Sequence, residues 1–180
     1  MNRQCTCTLL LLLTTVACCF GQTRSGDRDI YRNRPDQFQI ALPNDWTVTE
    51  GKRGVSVEAI NHRGASINVS VSPYNGHDPT LRELNQMLEL GAAQTKREYP
   101  TAIILEKGLR LLSGKRGPYQ KYRVTYTVGA QSATNIVANY TVFKNARVYT
   151  ITISAPVNEY VETEPLLRAS VNSFLIRSRI

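Results

Sequence analysis

The chain has 180 residues, 42% of them hydrophobic and 20% charged, with a formal net charge of +8; that is the size and composition of one domain with its own core, which excludes a disordered polymer. The basic residues come as scattered pairs, Lys52-Arg53, Lys96-Arg97, Lys115-Arg116 and Lys121 with Arg123, where a nucleic-acid partner would want a clustered stripe with interleaved aromatics. All four cysteines stand at positions 5, 7, 18 and 19, so a disulfide scaffold, a Cys-ligated zinc site and a cysteine nucleophile are excluded from the rest of the chain.

Residues 1–21 have a polar start with Arg3, an apolar run from Leu9 to Ala17 and then small residues, the three-part layout of an export signal. The run is interrupted by Thr14 and Thr15 and falls short of the about 20 apolar residues of a spanning helix. Two processing routes fit. Cleavage after Gly21 would start the mature chain at Gln22 and remove every cysteine. Alternatively "TTVAC" reads as a relaxed bacterial lipobox, with Ala17 at the cleavage point and Cys18 as the lipidation candidate, an acyl chain anchoring the protein by its buried methylenes. Both routes predict an exported protein, periplasmic or membrane-anchored and facing the periplasm or cell exterior. The polar, aperiodic stretch 22–37, "QTRSGDRDIYRNRPDQ", predicts a flexible tether, followed by a domain over 38–177.

"FQIALPNDWTV" gives a strand, a turn at Pro43-Asn44-Asp45 and Trp46, expected as a core anchor, with a ligand platform as the alternative. "GVSVEAI" and "ASINVSVSP" alternate apolar with polar residues around the turn "NHRG" and predict an antiparallel hairpin with one buried face. The period then changes. In "HDPTLRELNQMLELGAAQTKREYP" Asp78 is a candidate N-cap with Pro79 at the first helical position, and Thr80 with Glu83 offers a second capping choice. Leu81, Leu84, Leu88 and Ala92 draw one apolar stripe, and Tyr99-Pro100 ends the helix.

Strands return in "AIILEKGLRLL", in "QKYRVTYTV", and in "TNIVANYTVF" and "RVYTITIS", a hairpin closed at Lys144-Asn145-Ala146, where Asn145 suits a positive backbone angle. "ETEPLLRASVNSFLI" predicts a final helix with Leu167, Val171 and Phe174 inward and Pro165 in its first turn. The order of elements is an α+β pattern, and helices so far apart in sequence could cover opposite faces of one sheet.

"FQIALPNDW", "YRVTYTV", "NYTVFKNARVYTITISAP" and "SVNSFLI" together resemble the PsbP-like domain family of photosystem II extrinsic subunits and bacterial envelope lipoproteins, over about positions 38–177. The resemblance implies a twisted antiparallel sheet sandwiched by helices, an α/β/α sandwich, with no cofactor-binding or catalytic signature common to the family. The chain departs from the family where many relatives have Asn-Gly at the last hairpin, having Asn145-Ala146 instead. No residue can be matched to those through which photosystem subunits engage their partners, so no photosynthetic role follows.

Catalytic chemistry near neutral pH leans on histidine, and only His62 and His77 exist, both in expected loops. Capping explains Asp78 and Glu83 without a reaction. There is no G-x-S-x-G elbow, and "GKRG" lacks the ending of a phosphate loop. The sequons at Asn68 and Asn139 fall inside expected strands and are discounted.

These features predict a non-enzymatic protein with no catalytic residue, metal or cofactor, docking onto another envelope protein or assembly, with membrane association through lipid and no nucleic-acid partner. The expected interaction surface carries aromatics that the core does not need, Tyr119, Tyr140 and Tyr160, with Trp46 and His77 as further candidates. The rival is a small-ligand or ion-binding periplasmic protein with a pocket between sheet and helix, Trp46 or nearby tyrosines at its mouth. A hydrolase acting on envelope material comes third and requires His77 and Asp78 to face a cleft together.

Overall fold

In the computed structural model, residues 24–25, 28–52 and 54–177 are described. The expected export signal, with Cys18 and both processing points, lies outside the described residues. In chain order the elements are β1 (Arg24–Ser25), β2 (Arg28–Asn33), β3 (Phe38–Pro43), β4 (Thr47–Lys52), β5 (Val55–Ile60), β6 (Ser66–Pro73), α1 (Leu81–Glu98), β7 (Ile103–Leu112), β8 (Lys115–Val128), β9 (Gln131–Lys144), β10 (Arg147–Pro156), α2 (Tyr160–Ser173) and β11 (Leu175–Ile176). They build a seven-stranded antiparallel sheet, β4-β5-β6-β10-β9-β8-β7, and a small sheet, β1-β2-β3-β11. The expected α+β fold is present.

The middle of the large sheet explains how it is sided. Along β10, Tyr149, Ile151, Ile153 and Ala155 are buried while Val148, Thr150, Thr152 and Ser154 alternate with them, half-buried. Register carries the apolar set across the neighbours, Ile151 opposing Val69 and Tyr140, and Ile153 opposing Ile67 and Ala138. This face is covered by α2 and the small sheet. Phe38, Ile40 and Leu42 of β3 and Leu167, Val171 and Phe174 from the α2 region join it in one core, with the Phe38 and Phe174 rings 5.5 Å apart. Each such side chain taken wholly out of water contributes about 1.5–3 kcal/mol.

The opposite face is covered in part by α1, which packs on β7 and β8 through Leu84, Leu88, Ala92 and Thr95. A smaller cluster of Ala102, Tyr122, Val124 and Val137 lies there. The two helices therefore sandwich the sheet from opposite sides. Of the expected stripe, Leu81 at the first helical position stays exposed. Thr80, not Asp78, is the N-cap: its hydroxyl accepts from the Glu83 amide while the Glu83 carboxylate accepts from the Thr80 backbone, a reciprocal box that satisfies two end groups at once. Asp78 instead pairs with Lys115 at 3.0 Å.

Two further expectations are corrected. Residues 28–33 of the expected tether form β2, paired with β3 from Arg28 opposite Pro43 to Asn33 opposite Phe38. Its half-buried strand packs Tyr31 against Phe38, ring centroids 6.0 Å apart, and the following turn is pinned where Asp36 pairs with Arg147 at 2.8 Å and accepts from Ser56. The last helix starts at Tyr160, so Pro165 sits in its second turn and leaves the Val161 carbonyl without its usual intrahelical donor. The earlier start holds because the amide and hydroxyl of Thr163 both donate to the Glu159 carbonyl. After Ser173 the chain turns extended, and β11 pairs with β3, Ile176 opposite Phe38 and Leu175 opposite Gln39.

Candidate functional groove

The strand alternation that sends apolar side chains to the α2 face turns a row of polar ones to the α1 face. Through successive registers Thr49 opposes Glu58, Glu58 opposes Asn68, Asn68 opposes Thr152, Thr152 opposes Asn139, Asn139 opposes Gln120, and Gln120 opposes Lys107. The row crosses all seven strands and ends where Lys107 pairs with Glu89 of α1. Thr152 donates to Asn139 at 2.9 Å. Two groups in the row, Asn68 Oδ1 and Gln120 Nε2, are enclosed with no hydrogen-bond partner, a condition that costs about 1–3 kcal/mol per group in a finished interior.

Where the row passes beneath α1 there is a groove of about 240 Å³ between helix and sheet. Met87, Leu88 and Gly91 form its helix wall, and Gln120, Thr141 and Phe143 belong to its floor and end; no charged residue lines it among those described. Gln120 is 6% exposed. A Cβ placed on Gly91 would meet Gln120 Oε1 at 3.8 Å and nothing nearer.

Of the expected interaction residues, Tyr119 alone is among those lining the groove, and its side chain joins the core on the other face of the sheet. Tyr119 and Tyr160 are buried, at 5% and 4% exposure, and Tyr140 is half-buried, its ring 4.7 Å from that of Tyr119. The structure does bring the three together, but beneath α2, as part of the core. Tyr119 donates to Glu106 at 3.2 Å and Tyr160 to Glu164 at 3.2 Å, while Lys121 lies 4.5 Å over the Tyr160 ring and 3.3 Å from Glu164. Burial, followed by neighbouring Tyr140 and Glu106, pushes the Tyr119 phenol far up, and burial does the same more mildly to Tyr140 and Tyr160. Burial pulls Lys121 down, but its bonds to Tyr160 and Glu164 outweigh that and leave it raised. Protonated phenols and a charged ammonium serve poorly as bases or nucleophiles, so this cluster is a structural clamp on α2.

Trp46 is a core residue, as expected, and is not among the residues at the groove. His77 is 71% exposed and touches Glu83 at 3.1 Å; the Asp78 side chain is also largely in solvent. The two do not share a cleft, which removes the geometry that a hydrolase requires of them. Among the described residues no group of three or more His, Cys, Asp or Glu could hold a metal ion, and no helix is long and apolar enough to cross a membrane. Gly91 and Gln120 were not among the residues expected at a site. The usable signal was a glycine in the middle of an otherwise well-formed helix, where Ala is favoured by about 1 kcal/mol.

Compared with known proteins, the chain matches the PsbP family model over residues 27–176. No curated protein matches it. Among solved structures it is similar to cyanobacterial PsbP (CyanoP) from Synechocystis, with 19% identity, 87% of this chain and 96% of that one covered, and a TM-score of 0.64. It is also similar to LpqN of Mycobacterium tuberculosis, described as involved in cell envelope biogenesis, with 12% identity, coverage of 78% and 83%, and a TM-score of 0.56. The Ran-binding protein Mog1p of Saccharomyces cerevisiae follows at 13% identity, coverage of 84% and 96%, and a TM-score of 0.53. Identities this low speak to the fold alone.

Proposed function

The chain belongs to the PsbP family, and from that premise we propose that it is a non-enzymatic exported protein of the bacterial envelope that docks onto another envelope protein or assembly. In this reading it is either lipid-anchored at Cys18 or released by cleavage after Gly21. The observation that carries docking is the β7 edge. Among the described residues β7 ends the large sheet and pairs on one side only, with β8. Ile103, Leu105 and Leu111 on it are exposed, Leu111 at 70%. A sheet edge of ten residues with unspent backbone donors and acceptors and apolar side chains invites an added strand or a covering surface. The fold supports an interaction role, since similar folds are found in a Ran-binding protein and in a protein of envelope biogenesis.

The test is crosslinking in intact cells followed by recovery of the wild type and of a Leu105→Lys, Leu111→Lys double variant. A reproducible protein recovered with the wild type and lost with the variant is the expected result; no reproducible protein with either would overturn the docking reading. The intact mass of the mature protein separates acylation at Cys18 from a start at Gln22.

A second reading, ligand binding, is favoured by a separate observation: the α1 groove with its unpartnered Gln120 amide.

A further inference from the structure

We infer that the α1 groove binds a neutral saccharide unit, an N-acetylated hexose best matching what lines it. The inference rests on the ligand-binding reading and names the class of ligand.

Charge is the first discriminator. The chain carries +8 overall, yet none of the described residues lining the groove is charged, and the nearby Lys107 is already paired with Glu89. Nothing in the groove repays the desolvation of an ionic ligand.

Hydrogen bonding is the second. Thr141, Asn139 and Gln120 present hydroxyl and amide groups from the middle of the sheet. The backbone of β8, β9 and β10 is already committed to strand pairing, so the floor offers side chains only. An extended peptide, whose main recognition is backbone to backbone, gains little there, whereas a ring of hydroxyls is served by the groups present. Gln120 has an unpartnered donor while nine-tenths buried. A half-turn of its carboxamide, a soft torsion, exchanges donor and acceptor, so it can meet either end of a ligand acetamide.

The walls supply the third. Met87, Leu88 and Phe143 give apolar surface for the C–H face of a ring and for an acetyl methyl. Phe143 is held edge-on by Tyr74, ring centroids 4.9 Å apart. The volume, about 240 Å³, lies just below the range of drug-sized pockets, about 300–1,000 Å³, and suits one ring.

Gly91 joins these observations. It lies inside an 18-residue helix, where Ala would be tolerated next to Gln120 Oε1 and would strengthen the helix. The effect of having no side chain there is to leave the groove open above the amide.

The experiment titrates the trimer of N-acetylglucosamine into the nitrogen-15-labelled mature protein and follows the Gly91 backbone amide and the Gln120 side-chain amide by NMR. Saturable shifts of both are expected. Gly91→Leu, which fills the groove while raising helix propensity, and Gln120→Met, which removes the amide at similar size, are expected to melt no lower than the wild type and to bind about tenfold more weakly or worse. No saturable shift with the sugar, or unchanged binding in both variants, overturns the inference. A neutral tripeptide, Ala-Gln-Ala, that shifts the same two amides when the sugar does not would overturn the saccharide assignment and leave the ligand-binding reading standing.

Discussion

Asn145 and Ala146 both hold left-handed backbone angles, φ +55° and +56°, closing the β9–β10 hairpin in the two-residue geometry that matches strand twist. Asn tolerates that region; Ala does so at a cost of about 1–2 kcal/mol, partly offset by glycine's greater freedom when unfolded. Ala146→Gly is expected to raise stability by about 0.5–1 kcal/mol and the melting temperature by about 2–4 °C. Ala146→Val should lower both. Thermal and urea unfolding of the pair read the sign.

Gly117 makes the opposite case. A Cβ there would fall 1.7 Å from the Thr141 carbonyl oxygen and 2.8 Å from its carbon, and both atoms are backbone. Gly117→Ala can be accommodated only by parting β8 from β9, at about 3 kcal/mol or more. Denaturant unfolding should show this as a large drop in midpoint, or the variant will fail to accumulate folded. A Gly117→Ala protein as stable as wild type would refute the close approach of the two strands.

The Thr80–Glu83 capping box makes the start of α1 sensitive to acid. The Glu83 carboxyl is held below the usual carboxylate range chiefly by the Thr80 backbone amide, then by the Thr80 hydroxyl. Its folded value lies below its unfolded one, so its contribution is present at neutral pH and fades as pH falls through the folded value. Protection of the first turn of α1 against hydrogen exchange, taken relative to the intrinsic rate at each pH, should fall on acidification in wild type. In Glu83→Gln the same turn should show a weaker response to pH.

Tyrosine gives the alkaline counterpart. Burial, then the Glu50 carboxylate, pushes Tyr31 up to about 12, and burial raises Tyr122, Tyr126 and Tyr149 as well. For a phenol raised on folding, the stabilisation is whole below the unfolded value near about 10 and is lost as pH climbs toward the folded one. The phenolate absorbance of the native protein should therefore lag that of the denatured protein, and Tyr31 should ionise near 12. Comparison with Tyr31→Phe isolates its step; superimposable native and denatured titrations would contradict the buried phenols.

The parts of the fold written in local periodicity are legible in the sequence alone. Alternation locates the hairpins, and the three-to-four spacing of Leu84, Leu88 and Ala92 locates α1 and its inner face. β2 is not legible, because its six half-buried residues show no apolar-polar alternation and its Arg- and Asp-rich composition looks like a tether, although it lies between β1 and β3 in the small sheet. The three tyrosines mislead for a different reason. Tyr119 and Tyr140 are direct neighbours in register, but which face α2 covers depends on tertiary placement. The polar row from Thr49 to Lys107 is least accessible of all. No window of sequence contains it, since it exists only once seven strands have settled into one register.

The pairing of β3 with β11 ties residues 38–39 to residues 175–176. A polypeptide leaves the ribosome from its amino end, so one border of β3 must wait, unzipped, until everything up to Ile176 has been translated, the whole of the large sheet included. Completion is thereby deferred to the final moments of synthesis, and a molecule clipped before Leu175 is left with an open seam beside Phe38.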